Sequence, residues 1–378
     1  MRVQQGTSLA PDGRAAVAEA CDDWSESPDI VFAFCSASQD ATGVAEALAE
    51  RFPDAVIAGC TTSGEHLSGA HHRNSLVLAG LVDSGVVWSC ELVRGLQAVD
   101  GDRAMATADE LFSVLDFDPD ESDPENLFAL LFIDGLSMQE ERITALLDSA
   151  LRGVPVAGGS AGDDLAFEQT QVIHRSGAFD DAFVLVVGRP ERAKVQILKH
   201  QHFAPTDNYL VITKADPAKR RVLEIDGYPA LGAYAAALGL RPEEVTGEVT
   251  FLNPVTFRYQ GELYVRSIQA VNDDGSLDFY CAIEEGMVLE IGGHEDMAAA
   301  LRADLDGLRD RMGSLDFLLG FNCILRALES EGAGEHDAIG AAFTSVCGAM
   351  VGFDTYGEQL QGLHINQTLV AVAFADAA

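Results

Sequence analysis

Lysine is nearly missing from this chain: four residues, at 194, 199, 214 and 219, in 378. Basic residues number 24 against 60 acidic ones, a formal charge of -36. Such a surface repels nucleic acid and anionic membranes, and neither is expected as a partner. It suits salt tolerance, because mobile ions relieve the self-repulsion. No glycine-rich segment is joined to the lysine that a nucleotide phosphate cradle would want. Long apolar runs are missing too, so no membrane-crossing helix is expected, and Met1–Gln5 does not open a signal peptide's apolar core. The seven cysteines are odd in number and have no paired-ligand spacing. Cys35, Cys60, Cys90, Cys281, Cys323 and Cys347 stand in or beside apolar runs and read as small buried residues. A disulfide framework is therefore not expected, and the expected location is the reducing cytoplasm. The acidic stretch Asp116–Glu125 lacks the glycine and spacing of a calcium loop and reads as a solvated linker.

Glycine is plentiful and patterned. Ala349-Met350-Val351 runs into Gly352-Phe353-Asp354-Thr355-Tyr356-Gly357-Glu358, followed by Gly362, His364–Thr368 and the β-rich run Leu369–Phe374. The same order recurs near the other end: Ala55–Ala58, Gly59-Cys60-Thr61-Thr62-Ser63-Gly64-Glu65, Gly69, His72–Ser75 and Leu76–Leu81. A fainter copy runs Val154–Ala157, Gly158–Asp163 and Phe183–Val187. Each copy follows an apolar run ending in small or polar groups (Val31–Ser36, Phe128–Gly135, Phe317–Cys323) and a helix-like connection. Self-similarity in a constant order implies architecture. The fold class is α/β, with internally repeated β-α-β-turn-β units in mixed and antiparallel sheets. Ala55–Glu65, Val154–Asp163 and Met350–Glu358 are expected to be equivalent strand–turn units. A hairpin around Val172–Gly177 reads as an addition to the middle copy. Between the second and third copies, hairpin strands flank Asp216-Pro217, and Thr250–Ile291 alternates like an antiparallel meander. One boundary near Asp226 divides the chain into 1–225 and 226–378.

These residues carry a resemblance. Gly59–Glu65 resembles the signature of the FIST N-terminal domain. Glu224–Leu231, Asn322–Arg326 and Gly352–Glu358 resemble the FIST C-terminal domain, so two FIST subdomains are expected. The resemblance implies a bacterial sensory module that binds a small ligand, not an enzyme. Its partner would be a histidine kinase of a two-component system, or a diguanylate cyclase or phosphodiesterase. No segment of the sequence resembles such an output domain, so the partner is expected to be a separate chain; self-association into a homo-oligomer is compatible with this. Within the family, His200-Gln201-His202-Phe203-Ala204-Pro205-Thr206 and the Gly357–Thr368 region are similar to the stand-alone nitric-oxide-sensing branch. That similarity implies haem b as cofactor and nitric oxide as gas ligand.

The chemistry can be weighed from the residues themselves. A gas-sensing haem wants an imidazole on iron, an apolar slot and donors for two propionates. His174, His200, His202 and His364 lie on or beside β-like runs, whereas His66, His71, His72, His294 and His336 read as exposed. In one strand, His200 and His202 would share a face, with Phe203 and Pro205 as an apolar wall. Two neighbouring histidines also suit zinc, but no cysteine or second acid accompanies them at a usual spacing. With the resemblance added, His202 is the expected iron ligand. Arg326, one helical turn after Cys323, is a candidate anchor for a propionate or for an amino-acid carboxylate. The second functional reading is therefore a sensor of a small polar metabolite such as an amino acid. The third is a hydrolase using Cys60 or Cys323 with Glu65, Glu358 or His364. The repeat argues against it, because Glu65 and Glu358 hold one slot in two copies, as turn-stabilising carboxylates would.

Overall fold

The recurring apolar runs are strands, and they repeat element for element. The computed structural model describes residues 1–377. The first repeat runs β1 (Arg2–Ser8), α1 (Gly13–Ala20), β2 (Ile30–Ser36), α2 (Ala41–Arg51), β3 (Val56–Thr62), a hairpin of β4 (Glu65–Leu67) and β5 (Ala70–His72), and β6 (Leu76–Val82). The second runs β7 (Val86–Arg94), α3 (Gly101–Val114), β8 (Phe128–Ile133), α4 (Glu140–Ala150), β9 (Val156–Ser160), the hairpin β10 (Val172–His174) and β11 (Gly177–Phe179), and β12 (Ala182–Pro190). The third opens with β13 (Ala193–His200) and is then interrupted. The interruption contains β14 (Phe203–Asp216), β15 (Arg221–Ile225), β16 (Tyr228–Pro229), α5 (Ala230–Ala237), α6 (Gly247–Leu252), β17 (Val255–Tyr259), β18 (Glu262–Arg266), β19 (Ile268–Val271), β20 (Leu277–Phe279) and β21 (Val288–His294). The repeat resumes with α7 (Met297–Met312), β22 (Phe317–Cys323), α8 (Ile324–Ala333), α9 (His336–Thr344), β23 (Met350–Thr355), the hairpin β24 (Glu358–Leu360) and β25 (Leu363–Ile365), and β26 (Leu369–Asp376).

One compact unit comprises, among the described residues, 1–200, 301–364 and 369–377. Among the described residues its strands form three six-stranded sheets, ordered β1-β6-β2-β3-β10-β11, β7-β12-β8-β9-β24-β25 and β13-β26-β22-β23-β4-β5. These are one order written three times. In each sheet the pair flanking the connecting helix is parallel, and the remaining strands join antiparallel. The edge hairpin always comes from a different repeat: the second completes the first sheet, the third completes the second, and the first completes the third. The Val172–Gly177 hairpin is therefore no addition but the counterpart of the other two. The expected equivalence of Ala55–Glu65, Val154–Asp163 and Met350–Glu358 holds, because β3, β9 and β23 occupy one slot.

The glycines explain why the pattern is visible in sequence. A Cβ on Gly59, Gly158 or Gly352 would come within 1.8, 2.2 or 2.4 Å of the carbonyl oxygen of Ala33, Leu131 or Gly320 on the neighbouring parallel strand. One residue beyond those partners stand Phe34, Phe132 and Phe321. Their rings lie 6.1 Å (Phe34–Phe132) and 5.8 Å (Phe132–Phe321) apart, with Phe353 against all three. Each sheet also packs a face on its own helices, through Val44 and Leu48, Leu111 and Ile143, or Leu301 and Leu305. Asp12, Asp40 and Asp100 cap α1, α2 and α3 by accepting from the main-chain N–H of Ala15, Gly43 and Arg103.

The second compact unit comprises residues 201–300 and 365–368. Its β14 pairs with β21 and β15, its β17–β18 hairpin turns at Gln260-Gly261, and Leu210, Tyr234, Phe279 and Leu289 are core residues. The short return segment is held by polar bonds: Cys281 Sγ donates to Asn366 Oδ1 (2.6 Å) and Ser267 Oγ to Gln367 Oε1 (2.7 Å). The two units interleave along the chain. Among the described residues, no helix is long and apolar enough to cross a membrane.

Candidate functional site

Parallel strand pairs leave polar main-chain ends at their carboxyl edge, where α/β sheets commonly take ligands. In this protein those ends carry the recurring turns. In the first repeat Thr62 Oγ1 donates to Glu65 Oε1 (2.5 Å) and Ser75 Oγ to Glu65 Oε2 (2.6 Å). In the third, Thr355 Oγ1 donates to Glu358 Oε1 (2.5 Å). Glu65 and Glu358 are thus the turn-stabilising carboxylates their repeated slot implied. Burial pushes the Glu65 carboxyl up to about 7, against the hydroxyls of Ser75 and Thr62, which favour its charge. Gly64 and Gly357, in the same turns, have φ of +147° and +157°, where a side chain is strained.

The second repeat departs from this. Its counterpart of Gly64 is Asp163, and a loop follows in which Asp164, Leu165 and Phe167 all have positive φ (56°, 64° and 54°). Asp163 holds that loop by accepting from the N–H groups of Phe167 (3.0 Å), Glu168 (2.7 Å) and Gln169 (2.9 Å), and from the Tyr356 hydroxyl. Phe167, nearly half exposed, stacks on Tyr356 at 5.1 Å. Beside it, an open cleft of about 280 Å³ is lined by Asp134, Leu136, Ser137, Glu168, Gln169, Thr170, Asp180 and Asp181. Asp134, at the end of β8, accepts from Thr170 Oγ1 and from the N–H groups of Leu136 (2.9 Å) and Asp181 (2.7 Å).

The exchanged hairpins place a three-residue set over each strand end. Register pairs His66 with His71 across the first hairpin and with Gly352 below, so both imidazoles stand over Asp354. Their Nε2 atoms lie 2.7 Å from Asp354 Oδ1 and Oδ2 respectively. The same offsets give Gln359, His364 and Ser160 in the second sheet, where Gln359 Nε2 donates to Ser160 Oγ (2.8 Å) and meets His364 Nδ1 (3.1 Å). In the first sheet they give Ile173, Ala178 and Thr61. Burial alone would raise the Asp354 carboxyl, but the His66 and His71 imidazoles outweigh it and hold it well below the usual range.

The residues read as haem ligands fall in different places. β13 ends at His200, and Gln201 Oε1 turns back to accept from the N–H of Phe203 (2.6 Å). Contrary to the expectation, His200 and His202 do not share one strand face, and they belong to different compact units. His200 is buried with Nδ1 2.7 Å from Asp304 Oδ2. His202 is wholly buried, with Phe203 at 4.3 Å and His294 edge-on at 5.2 Å between ring centroids. Phe203 and Pro205 lie on β14 opposite His294 and Gly292. Arg326 is buried in the first turn of α8, donating from Nε to Asn322 Oδ1 (3.2 Å). Burial lowers its guanidinium to about 10, opposed by the charges of Glu329 and Glu358. Cys60 is fully buried and its thiol is pushed well above its ordinary value, which disfavours the thiolate a nucleophile needs. Sequence reading placed His66 and His71 in an exposed loop and so missed their meeting with Asp354. The available signal was two histidines five apart around Ser68-Gly69, the spacing of a cross-strand pair.

Residues 29–228 match the FIST N domain, and residues 230–361 match the FIST C domain. An uncharacterized protein of Methanocaldococcus jannaschii, MJ1623, is 27% identical over 202 residues, 52% of this chain and 37% of that protein. The chain thus aligns with little more than a third of that relative's length. The solved structure of PurLQS from Thermotoga maritima aligns over 99% of this chain and 72% of that one, at 11% identity and a TM-score of 0.22. That likeness is too slight to carry an argument.

Proposed function

This chain belongs to the FIST family of sensory, ligand-binding signal-transduction domains, and on that premise we propose that it binds haem b through an imidazole and senses nitric oxide. Its output would pass to a separate histidine kinase or cyclic-di-GMP enzyme. The observation that carries the reading is His202. Its imidazole is wholly shielded from water and lies against the rings of Phe203 and His294, which also meet each other. A histidine imidazole is a common protein donor to haem iron. His202 would hold the metal, and Phe203 and Pro205 would keep water from it. Bound haem would supply the iron at which nitric oxide is captured. Phe203 and His294 both lie against the imidazole, so uptake requires one of them to turn aside. His294, read from sequence as a loop residue, is for the same reason no neutral control.

The test is an absorption spectrum of the full chain loaded with haem. One equivalent with a Soret band that shifts under nitric oxide is expected, with the band lost or displaced in His202→Ala. An unaltered spectrum in that variant rejects His202 and passes the role to His200, His364 and His174 in turn. The second reading, a small polar metabolite, is favoured by the cleft beside Asp134. Its four carboxylates (Asp134, Glu168, Asp180 and Asp181) suit an ammonium group, whereas the Arg326 guanidinium already has acidic neighbours. Protein that stays colourless with haem but gains thermal stability from an amino acid would favour this reading.

A further inference from the structure

We propose that His66, His71 and Asp354 form a zinc site that joins the first and third repeats. The two histidines belong to the exchanged hairpin β4–β5 and the carboxylate to β23, 288 and 283 residues away in sequence. One ligand atom from each of the three lies within 4.8 Å of the others. Two imidazole nitrogens and one carboxylate oxygen are a zinc donor set that leaves a fourth position for water or an exogenous ligand. The opening is there, because the His66 and His71 side chains are 16% and 13% exposed while Asp354 is completely buried. As they stand, the donors share hydrogen bonds at 2.7 Å. Tetrahedral bonds of about 2 Å would ask each pair to part by roughly 0.6 Å.

The surroundings are built to hold these three groups. Asn322 Nδ2 donates to Asp354 Oδ1 at 2.8 Å and orients the carboxylate, as an outer partner of a metal ligand does. His336 stacks on His71 at 4.9 Å, nearly parallel, and its Nδ1 meets Ser330 Oγ at 2.8 Å, which fixes the His71 ring plane. Gly64 leaves the room: a Cβ there would lie 2.5 Å from Asp354 Oδ2 and 2.7 Å from His71 Nε2. Hairpin seating does not by itself call for this chemistry, since Ile173, Ala178 and Thr61 occupy the same three positions in the first sheet.

The test is a titration of the chelator-stripped full chain with zinc chloride. It runs against a chromophoric chelator near neutral pH, in high salt to suppress loose binding to surface carboxylates. One zinc per chain is expected, with a dissociation constant of about 1 µM or tighter. His66→Gln and His71→Gln should each weaken it by about 100-fold or more, and Asn322→Ala by about 10-fold. Cobalt(II) should give the intense visible bands of a tetrahedral site in the parent chain and lose them in both histidine variants. His66→Gln keeps the fold in play, because Gln359 already occupies that position on the third hairpin. Zinc affinity unchanged in the double histidine variant, or no stoichiometric zinc in the parent chain, would overturn the proposal and leave the cluster a hydrogen-bonded clamp.

Discussion

The first and third hairpins seat on their host sheets by the same main-chain register, yet one presents His66 and His71 over Asp354 and the other Gln359 and His364 over Ser160. The second makes the contrast sharper with Ile173 and Ala178 over Thr61. Docking is therefore carried by edge-strand hydrogen bonds, which any side chain permits. The three positions above each strand end are free to specialise: one set has an apolar hairpin pair over a threonine, one is neutral polar and one holds a buried carboxylate under two imidazoles. One repeated backbone register thus carries three different side-chain sets.

The comparison breaks most severely where the shared backbone is attacked. Gly59→Ala drives a Cβ toward the Ala33 carbonyl oxygen and should cost about 4 kcal/mol or prevent folding, read by urea unfolding. Gly232→Ala, in α5 with nothing within 4 Å of the added carbon, should instead stabilise by roughly 0.5–1 kcal/mol. If both glycines tolerate alanine equally, the steric account of the repeat is wrong.

Next come the three strand-end residues compared with one another. Asp354→Asn removes the charge that two imidazoles and Asn322 serve and should cost about 3 kcal/mol. Ser160→Ala loses the bond from Gln359, at about 1 kcal/mol. Thr61→Val loses the bond from the Gln171 N–H (2.9 Å) and should cost about 1 kcal/mol or less. Because the Asp354 carboxyl is held below its ordinary value, its contribution is fully present above about pH 4. It fades as pH falls toward the depressed value. Equal costs at the three sites would mean that the charged set confers nothing beyond seating.

Glu65 tests the turn. Its carboxyl titrates near 7 in the folded chain, against 4.5 ordinarily. Between those values the folded chain keeps a proton that the unfolded chain has lost, so stability falls as pH rises through this window. The loss amounts to about 3 kcal/mol. Glu65→Gln should flatten that slope, measured by chemical denaturation at several pH values. A slope identical in the two proteins would show that Glu65 is not the residue titrating.

How much of this was legible from sequence follows the range of the forces involved. Strand runs, aspartate caps and the glycine pattern are local signals, and the glycines were informative because a parallel neighbour approaches within 1.8–2.4 Å of an added Cβ. The middle copy was faint for an equally local reason: Asp163 replaces the turn glycine and a loop of strained residues follows. The paired slot of Glu65 and Glu358 is a local signal as well, since each carboxylate bonds a threonine three residues earlier. The His200–His202 face failed because the strand ends at His200 and the next begins at Phe203, with the Gln201 side chain accepting from the Phe203 N–H across the break.

The sequence by itself determined that this is a threefold-repeated α/β chain of the FIST kind with a strongly acidic composition. Tertiary structure alone decided which hairpin completes which sheet, and hence that His66 and His71 meet Asp354 while Gln359 meets both Ser160 and His364. It also decided that residues 365–368 join the inserted unit and not their own repeat. The physical reason is that strand period and glycine sterics are written into consecutive residues. An exposed sheet edge, in contrast, accepts any hairpin of matching length, and the choice among three is made by the packed whole.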